Sequence, residues 1–132
     1  MTLPATSLAG SGMTGRALGP EELQRRLIQF GVGICRNVGK IRRSVVTAHV
    51  ISQLIRSATA PAALYAEARA AESRRDFVHK MHLCLKELRE SAVWLQFLNE
   101  LAVTDPSRAT IIQEAHELIA IFVASLKTIG SR

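Results

Sequence analysis

Gln53-Leu54-Ile55-Arg56-Ser57-Ala58-Thr59-Ala60-Pro61-Ala62 leads through Glu67-Ala68 into Ala71-Glu72-Ser73-Arg74-Arg75-Asp76-Phe77. Lys80, the run Lys86-Glu87-Leu88-Arg89-Glu90 and the pair Trp94-Leu95 follow. Helix formers dominate, and the charges fall at spacings that set them among apolar neighbours. Ser73 reads as an N-cap, with Asp76 three residues on as a capping-box analogue. One helix therefore ends near Ala71 and another begins just after Ser73. The first runs from about Ala48 and carries Pro61, which removes a backbone donor and is expected to kink it near Arg56–Ser57. The second runs to about Val103. Its core stripe is Phe77, Met81, Cys84, Leu85, Leu88, Ala92, Leu95 and Leu98. A second stripe, Val78, Trp94, Phe97 and Leu101, lies on another side, and a helix apolar on two faces needs two neighbours or a partner subunit.

Working outward, Pro20 with Glu21 and Glu22 marks a helix start. That helix runs to Val38, with Leu23, Leu27, Phe30, Ile34 and Val38 at three-four spacing. Gly31 and Gly33 weaken it, which suggests a close helix approach there. Gly39 is its C-cap, and a connector from Lys40 to about Thr47 follows. At the other end Asp105-Pro106 reads as the cap and first residue of a last helix, with Ile111, Ile112, Ala115, Leu118, Ile119, Phe122 and Leu126 buried and Gly130 at its end. The expected fold is all-α, an up-down four-helix bundle over residues 20–130 behind a disordered leader, 1–19, rich in Gly, Ser, Thr and Ala.

The chain has 132 residues, 48% hydrophobic, which suits one domain with a sizeable core. Its formal charge is +6, from 17 Lys and Arg against 11 Asp and Glu. The surplus is local. Between Leu23 and Ala66 stand Arg25, Arg26, Arg36, Lys40, Arg42, Arg43 and Arg56, with no acidic residue. Arg25, Arg36 and Lys40 fall within about 60° of one another on the side of the first helix away from its apolar stripe, and Arg42 and Arg43 extend the patch through the connector. A basic half on a compact domain suggests a polyanionic partner; a solubilising face is the rival reading.

The N-terminus lacks the charged and apolar regions of a secretory signal. The apolar run Leu118–Leu126 is shorter than the roughly 20 residues that span a bilayer. A cytoplasmic protein without membrane contact is expected. Cys35 and Cys84 read as reduced core thiols.

Arg56, Glu67, Lys86 and Glu90 look like charges inside the bundle. Glu67 is expected to be buried against Arg56, Lys86 or both. A polar functional site and a set of ion pairs that fixes helix register are the two readings, and the second is preferred because buried charges survive only when paired. No catalytic residue is assigned: two nearby carboxylates could do acid–base work, but nothing in the sequence supplies a nucleophile or a substrate pocket, and an enzyme using Arg56, Glu67 and Glu90 is the most distant reading. His79 and His82 are i,i+3, but a metal site needs three or four ligands and neither His49 nor His116 joins them, so no metal or other cofactor is expected. Aromatic residues are 5% of the chain. They give no stacking platform, and zinc-finger and RNP-type patterns are missing. Nucleic-acid contact, if made, runs through Lys and Arg to phosphate, with Arg25, Arg36, Lys40, Arg42 and Arg43 as its residues.

The ordered set Gln-Leu-x-Arg-Ser (53–57), Glu-Ala (67–68), Glu-Ser-x-x-Asp-Phe (72–77), Lys-Glu-Leu-Arg-Glu (86–90) and Trp-Leu (94–95) resembles the 23S rRNA-intervening sequence protein family. Leu64 stands where such proteins often carry Asn. The resemblance spans roughly 21–128. It implies a closed four-helix unit that assembles into a ring-like homopentamer, with no established activity for most members. A related fold is the basic pentameric accessory protein of diversity-generating retroelements, which works with a reverse transcriptase and its RNA template. The expectation is therefore a non-enzymatic, basic, oligomeric bundle that binds nucleic acid, RNA ahead of DNA, or a nucleoprotein such as a reverse transcriptase complex. The alternative is a structural or protein-interaction scaffold without nucleic-acid binding. Trp94, Phe97 and Leu101 are the expected subunit contact.

Overall fold

The computed structural model describes residues 6–7, 17–101, 103 and 105–131. Two-residue strands, β1 (Thr6–Ser7) and β2 (Ala17–Leu18), pair antiparallel, Thr6 with Leu18 and Ser7 with Ala17. Four helices follow: α1 (Pro20–Val38), α2 (Val45–Arg69), α3 (Arg74–Glu100) and α4 (Arg108–Gly130). Leu18 is buried in the core. The folded part therefore begins before Pro20, and the expected leader has an apolar anchor at its end. Residues 1–5 and 8–16 of that leader lie outside the described residues.

The heptad-like stripes decide the core. Leu23, Leu27, Phe30, Ile34 and Val38 of α1 are all buried, as are Phe77, Met81, Cys84, Leu88, Leu95 and Leu98 of α3. They meet Val50, Ile51, Leu54, Ala58, Tyr65 and Ala68 of α2 and Ala115, Leu118, Ile121, Phe122 and Ile129 of α4. Each helix packs on its sequence neighbour, most extensively α2 on α3, and α1 closes more thinly on α4. By length and composition α4 would pass for a membrane span, which the short run Leu118–Leu126 understates. Here Ala115, Leu118, Ile121, Phe122 and Ile129 are buried in the bundle, and Glu114 and Glu117 bind Arg26 of α1. Ile111, Ile112, Ile119 and Leu126, expected to be buried, are only partly so because they flank that stripe.

Local chemistry sets the ends. Ser44 caps α2: its hydroxyl accepts from the Thr47 N–H at 3.1 Å, and Thr47 Oγ1 accepts from the Ser44 N–H at 2.7 Å. This reciprocal box starts α2 at Val45, three residues before the expected Ala48. Ser73 caps α3 as expected, accepting from the Asp76 N–H at 3.0 Å. The end of α3 falls at Glu100, short of Val103. Asp105-Pro106 opens a turn instead of α4 itself. Asp105 Oδ1 accepts from the N–H of Ser107, the N-cap residue, at 3.0 Å, and α4 begins at Arg108.

α2 runs as one helix through the buried Pro61. Around it, the Ala62 carbonyl accepts from Gln24 at 2.8 Å and the Pro61 carbonyl from the Cys84 thiol at 3.6 Å. Gly31 provides the close approach of α1 to α2, since a Cβ there would stand 3.2 Å from the Ala58 carbonyl oxygen. Gly33 has open space instead, so only one glycine of the pair serves packing. Cys84 is buried, whereas Cys35 is exposed; one residue beyond Ile34, it has turned about 100° away from the core stripe.

Candidate nucleic-acid interface

The acidic residues of the bundle are largely committed to neighbouring helices. Arg56 of α2 binds Glu90 of α3 and reaches Glu87 at 3.4 Å. Lys80 of α3 binds Glu67 of α2 at 2.6 Å. Arg26 of α1 takes Glu114 in a fork, at 3.0 and 2.5 Å, and Glu117 at 3.3 Å. Arg69 reaches Glu21 at 3.1 Å. Between these pairs lies a buried polar contact: the Ser57 hydroxyl accepts from Ser91 at 3.1 Å and donates to the Leu54 carbonyl at 3.2 Å.

The expected interior cluster is thus divided. Arg56 and Glu90 are together, but Glu67 is 55% exposed and pairs with Lys80. It meets neither Arg56 nor Lys86, and Lys86 is exposed. Arg56 and Glu67 share a helix face but stand three turns apart, about 16 Å along the axis, so each finds its partner at a different level of the antiparallel α3. These contacts fix the α2–α3 register at the bundle's flank.

The basic surplus sits elsewhere. Arg36 lies in the last turn of α1; Lys40, Arg42 and Arg43 follow in the turn to α2; all four are exposed. None forms an ion pair among the described residues. Arg25, three turns back from Arg36 on α1, has its side chain 62% exposed and only a long contact to Glu22, at 3.9 Å.

Directly beyond this turn the surface becomes apolar. Val45 is 91% exposed and Val46 56%, at the start of α2. Antiparallel packing sets them beside the end of α3, where Val93, Phe97 and Leu101 are also exposed. Trp94, half-buried, stacks at 5.1 Å on Phe97 and meets the His49 ring edge-on at 5.9 Å. Its indole N–H donates to Glu90 at 3.0 Å. The three residues expected at a subunit contact, Trp94, Phe97 and Leu101, therefore share one exposed patch, and Val45, Val46 and His49 complete it.

The sequence reading missed a polar knot under the basic turn. Arg108 is 2% exposed. Its Nε and Nη2 donate to Asn37 Oδ1 at 3.3 and 3.1 Å, and its Nη1 donates to the Val103 carbonyl. Asn37 Nδ2 donates in turn to Asp105 Oδ2 at 3.1 Å and to Ser107 Oγ at 3.0 Å. Hydrogen bonds from the Ser107 N–H and hydroxyl hold the Asp105 carboxyl below the usual range. The knot ties the last turn of α1 to the α3–α4 loop. One signal was available: an Arg at the first position of a helix opposes the macrodipole, so another contact has to hold it there.

His79 and His82 are exposed on α3. Among the described residues no group of three His, Cys, Asp or Glu is placed to hold a metal.

The profile of the 23S rRNA-intervening sequence protein family matches residues 24–124. A solved structure of a protein of unknown function from the S23 ribosomal protein family of Bacteroides thetaiotaomicron superposes with a TM-score of 0.73, at 24% identity, over 82% of this chain and 97% of that one. At that identity the likeness shows the shared four-helix fold. No curated protein matches the chain significantly.

Proposed function

Because the chain belongs to the 23S rRNA-intervening sequence protein family, we propose that it is a non-enzymatic, oligomeric, basic bundle of the cytoplasm that binds nucleic acid, RNA ahead of DNA, or a nucleoprotein. The contacts are electrostatic and of low sequence specificity. The observation that carries this reading is the run of exposed cations, Arg36, Lys40, Arg42 and Arg43, without ion-pair partners among the described residues, while Arg26, Arg56, Arg69 and Lys80 are all paired. Phosphate contacts by such groups release counterions, which supplies affinity without base readout.

The exposed patch of Val45, Val46, Val93, Phe97 and Leu101 supports self-association, since apolar surface of this kind favours burial against a partner. A pentamer is the state we favour, on the resemblance to the family. Ring symmetry would repeat the basic turn in each subunit, so weak contacts would add by multivalency. The same patch favours the second reading, a protein-interaction scaffold whose basic face only maintains solubility. A low-salt gel shift with structured RNA, single-stranded RNA and duplex DNA separates the two. Retardation of RNA that weakens steeply with salt is the expected result; no retardation of any of the three decides for the scaffold.

A further inference from the structure

Arg108 is the one charged side chain among the described residues that is fully withdrawn from solvent. Its recorded acceptors, the Val103 carbonyl and Asn37 Oδ1, are both neutral. The carboxylate of Asp105 is reached only through Asn37. Each Arg108 nitrogen therefore has an acceptor, but the charge is not matched by direct contact with an anion, and a buried cation without a counterion is costly. Burial accordingly pulls its pKa down, with Asp105 as the opposing influence.

Over this group opens a depression of about 380 Å³, with Lys40, Arg42, Thr47 and Asp105 also in its lining. Three cations face one carboxylate there, and that carboxylate already accepts from Ser107 and Asn37. The site is also held in place. Thr47 Oγ1 donates to the Arg42 carbonyl at 3.1 Å, which fixes the backbone that carries Arg42 over the depression.

We propose that this depression is an oxyanion site that takes one phosphate group between Lys40 and Arg42, with the Arg108 charge beneath it. The inference rests on the nucleic-acid reading above and deepens it: the occupant in the complex is a backbone phosphate, and the remaining basic residues track the strand on either side. A guanidinium and an ammonium on one rim suit a phosphate, which accepts from both at once. Free inorganic phosphate offers the same chemistry, and the two sources are separated by the arms of the test.

The test uses the full chain. Thermal unfolding is followed against inorganic phosphate and against chloride at matched ionic strength. Phosphate at ten times its dissociation constant raises Tm by about 5 °C over chloride. The double variant Lys40→Gln/Arg42→Gln, whose changes lie on the surface, loses that shift. Arg89→Gln/Lys127→Gln removes the same charge elsewhere and keeps it. The same three proteins are run in the RNA gel shift. Phosphate no better than chloride, or equal loss in both double variants, overturns the site. If that happens while RNA is still retarded, the general nucleic-acid reading stands without the site. If phosphate stabilises selectively but RNA is not retained, the oxyanion site stands with a free anion as its occupant and the nucleic-acid reading falls.

Discussion

The α2–α3 flank and the α1–α2 turn are built from the same kinds of charged residue and use them in opposite ways. On the flank, Arg56 lies against Glu87 and Glu90, and Lys80 against Glu67. At the turn, Arg36, Lys40, Arg42 and Arg43 have no ion-pair partner among the described residues. Composition explains part of the contrast. Outside residues 23–66, ten basic residues meet eleven acidic ones, whereas the seven basic residues inside that span have no acidic neighbour in sequence. Topology explains the rest. Arg26 and Arg56 face helices that bring carboxylates to them, while the turn faces the α3–α4 loop, whose Asp105 already accepts from Asn37 and Ser107. The lesson is that net charge alone does not mark a binding face. Charges satisfied by neighbouring helices set register; those gathered at one turn without ion-pair partners are available to a polyanion.

That contrast can be broken in several ways, in descending order of effect. Asn37→Ala, in the knot beneath the turn, leaves the buried Arg108 guanidinium short of its side-chain acceptor. It is expected to cost about 3 kcal/mol, read as a drop in the urea midpoint at unchanged slope. Phe97→Asp, in the apolar patch beside the turn, is expected to raise the dissociation constant of self-association at least about 30-fold, measured by sedimentation across a concentration series. Burial pushes the Cys84 thiol on the seam up to about 12. Because its folded value lies above its unfolded one, its contribution is complete below the unfolded value near 9. It is lost as pH rises from there toward 12, at up to about 1.4 kcal/mol per pH unit. Alkaline unfolding of Cys84→Ala should therefore have a shallower pH dependence than that of the parent chain. The smallest effect belongs to Glu67→Ala. Its exposed pair with Lys80 contributes little, so Tm should move by about 3 °C or less. A large loss there would mean that the flank holds more than register.

Much of the bundle was legible because helical periodicity reports burial directly. Leu23, Leu27, Phe30, Ile34 and Val38 are spaced for one face and lie on it. Exposure of the basic turn was legible too, since Gly39 ends a helix just where the cations gather. Pairing between helices was not. Glu67 was expected to be buried against Arg56 or Lys86, yet it pairs with Lys80 at the flank; periodicity orders residues around their own axis and does not give the level at which a second helix crosses them. The start of α2 was missed because its cap, Ser44, is recognised through its reciprocal bonds with Thr47. Arg108 was harder still. Its burial depends on Asn37, 71 residues away, and on the Val103 carbonyl, and local pattern reports neither.

The central claim is that the unpaired cations of the α1–α2 turn bind a polyanion while the paired ones of the flank do not. The most direct measurement is the salt dependence of RNA affinity, by fluorescence anisotropy, for the parent chain and for two charge-reversed variants. One reverses Arg36, Lys40, Arg42 and Arg43 to Glu; the other reverses Arg56 and Lys80 to Glu, with circular dichroism checking that each remains folded. The account predicts that the turn variant loses measurable binding. It predicts that the flank variant, if folded, keeps the parent's slope of log affinity on log salt, with each phosphate contact contributing roughly 0.7–0.9 to that slope. Equal loss in both folded variants, or a parent chain whose affinity does not change with salt, would contradict it.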